Sequence, residues 1–156
     1  MNEVVAMKSE TPAAGRTTLL IVEDEILAAI ALKDELEEAG YDVMDLTGRP
    51  QEALDAVAGA QPHLALVNIK LHGRDDGIEL AGQLTEMGIP VLFISGQVSR
   101  AHSAQSVAIG SLPKPYSCAD MVLAVAYLLA HLEGDESQPR PPGLEVFDHA
   151  EDADAA

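Results

Sequence analysis

The chain of 156 residues has room for one domain with short additions at its ends, since domains usually hold about 100–150 residues. Apolar residues make up 47% of it and aromatic residues only 3%, so a core must be assembled from Ala, Val, Ile and Leu, as in parallel sheets covered by helices. A formal net charge of −17, with no basic stripe or helix-turn-helix pattern, argues against nucleic-acid binding, and the longest strongly apolar run, Met121 to Leu132, is too short to cross a bilayer as a helix.

Residues 1 to 16 mix charges, Pro12 and Gly15 without periodicity, and are expected to form a flexible leader. They lack the apolar stretch of a secretion signal, and the lone Cys118 has no partner for an intramolecular disulfide, so a cytoplasmic protein is expected. Thr18 to Val22 is a short apolar, partly β-branched run, the pattern of a strand buried on both faces. From Ile26 to Ala39 the period becomes helical, with Ala29, Leu32, Leu36 and Ala39 on one face, and Gly40 stops the helix.

The alternation then repeats. A strand near Tyr41 to Leu46 precedes a helix from about Pro50 to Ala60, and Leu64 to Asn68 forms a third strand. The loop Ile69 to Asp76 leads to a helix from about Gly77 to Met87, and Pro90 to Ser95 supplies a fourth strand. Ser99 to Ile109 is a weaker helix with a small-residue face, and Ser111 to Pro113 a vestigial fifth strand. The last helix starts at Ser117, with Asp120 completing a capping-box-like pattern, carries Met121, Val125, Leu128 and Leu132 at helical spacing, and ends near Gly134.

Strands alternating with helices predict an α/β fold: a doubly wound five-stranded parallel sheet with helices on both faces and right-handed crossovers. Its functional crevice lies at the carboxyl ends of the strands. That position selects Glu23 and Asp24 after the first strand, Asn68 after the third, Ser95 after the fourth and Lys114 after the fifth. Adjacent carboxylates facing a third oxygen ligand suit magnesium, and Lys114 with the Ser95 hydroxyl could hold the oxygens of a phosphoryl group.

Val22-Glu23-Asp24-Glu25, Leu66-Val67-Asn68-Ile69, Asp76-Gly77, Ile94-Ser95-Gly96 and Lys114-Pro115-Tyr116 resemble, in order, the successive signatures of chemotaxis-regulator-like receiver domains of response regulators. The resemblance covers about residues 17 to 133 and implies a flavodoxin-like fold in a single-domain regulator. It assigns Glu23, Asp24, position 68 and the backbone carbonyl of Lys70 to Mg2+, Ser95 to the switch hydroxyl and Lys114 to phosphate contact. It also implies a cis Lys114-Pro115 bond. In the family, an aspartate at position 68 takes phosphate from a sensor histidine kinase, a histidine phosphotransferase or a small donor. The change is then read on the face built from the fourth and fifth helices and the fifth strand. Receiver domains catalyse only their own phosphorylation and dephosphorylation, so the resemblance does not imply an enzyme acting on other substrates.

The chain departs from this pattern in three respects. Asn68 is neutral, a poor nucleophile and a weaker ligand than a carboxylate, so ordinary phosphorylation is expected to fail. Either the chain is a natural pseudo-receiver, or asparagine replaces aspartate to hold the unphosphorylated state. Only Ser111-Leu112-Pro113 separates Gly110 from Lys114, which shortens the fifth strand. Ser111 also stands where an aromatic residue commonly couples to the switch hydroxyl. Lys-Pro-Tyr after so short a segment resembles an atypical receiver group found beside HWE-type histidine kinases.

Other chemistries fit less well. A haloacid-dehalogenase-like phosphatase needs carboxylates two residues apart, and Ile26 stands two positions after Asp24. A flavin phosphate would be repelled by Glu23-Asp24-Glu25. His63, His72, His102, His131 and His149 lack metal-ligand spacing, and Asp75 and Asp76 read as solvated loop charges. The expected protein is a stand-alone regulator acting on an output protein or as a phosphate sink. Exposed apolar residues of the last helix, Leu123 and Tyr127 among them, would form any homodimer. Residues 134 to 156, acidic and proline-containing, are expected to be a disordered tail, within which Leu144, Val146 and Phe147 form a candidate docking motif.

Overall fold

The computed structural model describes residues 16–74 and 76–147. Along the chain run β1 (Thr18–Val22), α1 (Ile26–Glu38), β2 (Asp42–Thr47), α2 (Pro50–Gly59), β3 (Leu64–Asn68) and α3 (Asp76–Glu86). They are followed by β4 (Val91–Ser95), α4 (Val98–Ser103), a 3-10 turn (Gln105–Val107), β5 (Gly110–Pro113), α5 (Cys118–Leu132) and β6 (Glu145–Val146). The sheet order is β2-β1-β3-β4-β5-β6. The first five strands are mutually parallel and β6 is antiparallel to β5, so a sixth strand joins the five expected.

β3 (LALVN) and β4 (VLFIS) are buried along their whole length, as central strands with helices on both sides must be. Alternation along the strands divides the core. Leu20, Val22, Ala65, Val67, Val91 and Phe93 face α2, α3 and α4, while Leu19, Ile21, Leu64, Leu66, Leu92 and Ile94 face α1 and α5. Each such Val, Leu, Ile or Phe side chain contributes about 1.5–3 kcal/mol of burial free energy relative to exposure. Of the expected inner face of α1, Ala29, Leu32 and Leu36 are buried and Ala39 is exposed, one residue before the turn at Gly40, whose φ is +106°.

The weak helix expected over Ser99 to Ile109 breaks after one and a half turns. Ser103 Oγ donates back to the Ser99 carbonyl at 3.0 Å, the competition that makes serine a poor helix interior residue, and the chain continues in the 3-10 turn. α5 begins as expected, the Ser117 hydroxyl accepting the Asp120 N–H at 3.0 Å, and the chain turns away at Gly134 with φ +86°.

Residues 135 to 147 require a correction, because they are packed rather than disordered. After Gly134 the chain folds back over α5, and Glu145 and Val146 pair with Ser111 and Gly110. The Phe147 N–H donates to the Ile109 carbonyl at 2.9 Å. Leu144 and Phe147 are each 4% exposed, and Pro141 is also buried. Apolar side chains at alternate positions supply enough burial to offset the ordering entropy that the composition suggested would prevail. The surface expected to serve a homodimer changes accordingly. Tyr127 is covered: its hydroxyl donates to Glu136 Oε1 at 3.1 Å, and the Arg140 guanidinium lies 5.8 Å over its ring. The leader expected over 1 to 16 lies outside the described residues except for Arg16, whose Nε donates to Asp42 Oδ1 at 3.0 Å. Residues 148 to 156, with His149, and Asp75 also lie outside them.

Candidate functional site

The sheet order reverses at β1, so the ends of β1 and β3 flank a crevice that neither crossover covers. β1 delivers the acidic pair there. The Glu23 N–H donates to the Thr47 carbonyl at 2.9 Å, extending the β1–β2 ladder by a residue and leaving Glu23 4% exposed. Asn68 ends β3, and the Ile69 N–H donates to the Ile94 carbonyl at 3.1 Å. On the far side the Lys114 N–H donates to the Ser95 carbonyl at 2.8 Å, which places the ends of β4 and β5 side by side. The Lys114-Pro115 bond is cis. All six expected residues, Glu23, Asp24, Asn68, Lys70, Ser95 and Lys114, line one cleft of about 520 Å3.

At its centre, Asn68 Nδ2 donates to the Lys70 carbonyl at 2.8 Å and lies 3.2 Å from Glu23 Oε2 and 3.4 Å from Asp24 Oδ1. These oxygens are the donor types a hard divalent cation takes, and they converge on a single point. The Asn68 amide stands at that point and turns its positively polarised N–H hydrogens toward those oxygens. Lys114 Nζ is 3.6 Å from Glu23 Oε1, and the Ser95 hydroxyl is turned into its own loop, accepting the Gln97 N–H at 2.8 Å and donating to the Gln97 carbonyl at 3.0 Å. The chemistry available is therefore capture of a cation and of an oxyanion at adjoining positions.

The two carboxylates titrate in opposite senses. Burial pushes Glu23 above the usual carboxylate range, with adjacent Asp24 adding to the rise, against the pull of the Glu25 N–H and Lys114. Burial acts on Asp24 too, but hydrogen bonds from the backbone N–H groups of His72 and of Asp24 itself, and from Glu23, hold it below that range. Tyr116, behind the lysine, is pushed up to about 12 by burial and by the Glu23 charge, so it stays neutral. The Cys118 thiol is raised by burial and by Glu35, which suits a packed residue better than a reactive one.

Sequence reasoning gave no role at the site to three contributors, although it had singled out Gly77 within the Asp76-Gly77 motif. The His72 N–H donates to Asp24 Oδ2 at 2.9 Å and its ring meets the Gly48 carbonyl at 3.1 Å. This depends on a positive φ of 54° at His72, for which only the neighbouring Gly73 gave a turn signal. Gln97 holds the Ser95 hydroxyl through its main chain, which any residue could do. Gly77 lets α3 seat on the end of β3: a Cβ there would lie 2.1 Å from the Asn68 carbonyl oxygen and 2.8 Å from Ile69 Cα. Asp76, next to it, is 3.7 Å from Arg74 Nε and lies outside the cleft lining.

Comparison with known proteins bears on the family and the fold. The transcriptional regulatory protein PdtaR of Mycobacterium tuberculosis is 31% identical over 123 residues, an alignment covering 75% of this chain and 58% of that protein. The phosphate regulon transcriptional regulatory protein PhoB of Pseudomonas aeruginosa is 28% identical over 139 residues, covering 84% of this chain and 60% of that one. The chain thus spans somewhat over half the length of these relatives. The crystal structure of the signal receiver domain of a modulated diguanylate cyclase from Desulfovibrio desulfuricans superposes with a TM-score of 0.68 at 32% identity, over 76% of this chain and 98% of that one. The family profile of the response regulator receiver domain matches residues 19–126, and the chain belongs to that family, the receivers of two-component systems.

Proposed function

We propose that the domain is a station of a two-component phosphorelay. Position 68 is its phosphoacceptor site, able to take a phosphoryl group from a histidine kinase or phosphotransferase as aspartate and unable to as the asparagine present. The carrying observation is the convergence of Glu23, Asp24 and the Lys70 carbonyl on the side chain of residue 68, with Lys114 and Ser95 across the cleft. Glu23, Asp24 and the Lys70 carbonyl would hold Mg2+, which supplies charge neutralisation for an incoming phosphoryl group. Lys114 binds phosphoryl oxygen by charge, and Ser95 donates a hydrogen bond once its hydroxyl turns from the Gln97 carbonyl. The absence of a carboxylate at position 68 removes both the nucleophile and one metal ligand. Signalling then proceeds through protein contact in the cytoplasm.

A second reading is favoured by one contact set. The Asn68 amide already satisfies the oxygens a cation would take, as suits a receiver working as a binding module without phosphorylation. Intact-protein mass spectrometry under conditions that preserve acyl phosphates separates the two. The expected outcome is no phosphate on the chain as given from acetyl phosphate or a phosphorylated kinase, and magnesium-dependent incorporation into Asn68→Asp that falls when Lys114 is also replaced by alanine. Equal labelling of both forms would overturn the assignment of position 68. Labelling of neither would support the binding module.

A further inference from the structure

We infer that His72 is a positioning residue for the cation pocket: its ring, hydrogen-bonded to the Gly48 carbonyl, holds a strained turn from which the His72 N–H fixes the Asp24 carboxylate. The inference rests on the reading of Glu23, Asp24 and the Lys70 carbonyl as Mg2+ ligands beside position 68.

The turn is tight and anchored at its base. Leu71, fully buried, exchanges both main-chain hydrogen bonds with Arg74, at 2.8 and 3.1 Å. His72 and Gly73 are thus the two central residues, with φ of +54° and +79°. Glycine takes such values freely, whereas a side chain sets its Cβ against the neighbouring carbonyl. A strained residue of this kind persists where its surroundings over-determine it, and His72 is held at two points. Its ring Nε2 lies 3.1 Å from the Gly48 carbonyl oxygen, and because a carbonyl only accepts, that nitrogen carries the hydrogen. Its N–H donates to Asp24 Oδ2 at 2.9 Å.

The far end of the ring bond is itself fixed. The Gly48 N–H donates to Glu52 Oε1, in the first turn of α2, at 3.1 Å, and a Cβ on Gly48 would lie 3.3 Å from the Asp24 Cα. The loop after β2 therefore seats against the main chain of Asp24, while His72, clipped to that loop, holds the carboxylate. A carboxylate can present either oxygen. With Oδ2 taken by the His72 N–H, Oδ1 is the oxygen turned to residue 68, 3.4 Å from its Nδ2. Glu23 is set separately, its Oε2 accepting the Glu25 N–H at 3.1 Å. His72 thus governs one of the two carboxylates, and outer hydrogen bonds that orient a ligand in this way are worth about 10–100-fold in metal affinity.

The test titrates the full chain carrying Asn68→Asp with magnesium chloride, while NMR follows the backbone amides at the ends of β1 and β3. Adding His72→Gly removes the ring and relieves the turn but keeps the N–H. It should weaken Mg2+ binding about tenfold while the urea midpoint stays equal or rises, a divergence of affinity from stability that a merely structural histidine would not give. His72→Gln, whose side-chain amide can donate to the Gly48 carbonyl, should recover most of the lost affinity. In the chain as it stands, without added cation, the Asn68 side-chain amide resonances should shift on His72→Gly and return toward their original positions in His72→Gln. Equal Mg2+ affinity with and without the histidine, in an Asn68→Asp form that binds the ion, would overturn the role of His72 alone. So would affinity and stability falling together, or Asn68 resonances that do not move. If Asn68→Asp takes up no Mg2+, the reading of the pocket falls and the inference with it.

Discussion

Glu23 and Asp24 are neighbours in sequence, yet the fold treats their charges differently, and stability should record the difference. The folded pKa of Asp24 is lowered, so its contribution is present above the unfolded value and is lost as pH falls through the folded one. Glu23 is the reverse: burial raises its folded pKa, so the cost of its charge is full above that value and fades as pH falls through it. Glu23→Gln removes the cost, and it should raise stability near neutrality by about 0.5–2 kcal/mol, the usual scale when a site residue is exchanged for a better-tolerated one. Thermal melts at neutral and mildly acidic pH check this, with a gain expected to shrink on acidification. Gly77→Ala should act oppositely, costing about 3 kcal/mol or more, since all three atoms its Cβ would strike are main chain; urea unfolding measures it. Residues at strand ends were legible because chemistry at those positions depends on side-chain identity. His72 and Gln97 were not, since each acts through a main-chain group that its letter does not reveal.

Among the elements, those with a regular apolar period were readable to within a residue or two. β3 spans Leu64–Asn68 as expected, and α3 begins at Asp76, one residue before its expected start. α4 was uncertain for the reason it is short, a run of Ser, His and Gln with little to bury. The return strand was misjudged because its acidic and proline-rich approach dominates the composition of the last residues. The informative signal was local, the alternation of Leu144 and Val146 with Glu145 and Phe147, and it became decisive only with an open β5 edge beside it. Phe147→Ala should therefore destabilise the protein by about 3 kcal/mol, as truncation of a packed aromatic does, where a disordered tail would give no change in the urea midpoint.

The parallel sheet with helices on both faces followed from the alternation of elements, and with it a crevice at the carboxyl ends of the strands. What the alternation could not supply was the sixth strand, which arises from contacts distant in sequence. The net charge of −17 acts at this scale too. Self-repulsion among carboxylates opposes compactness and is screened over about 10 Å at 0.1 M salt, so the melting temperature should climb as sodium chloride is raised from low to physiological concentration. Among the described residues no helix is long and apolar enough to cross a membrane.

The two-residue strand beyond β5 has a bearing on aggregation. A parallel sheet ending at β5 would expose a row of unpaired main-chain groups beside apolar side chains, the template on which chains stack edge to edge. β6 closes that row and is too short to offer a continuation, and Glu145 on it sets a charge against any incoming strand. Removing residues 144 to 147 should therefore leave the remaining sheet prone to self-association, which static light scattering during concentration would register as a rising apparent mass, while the intact chain stays constant.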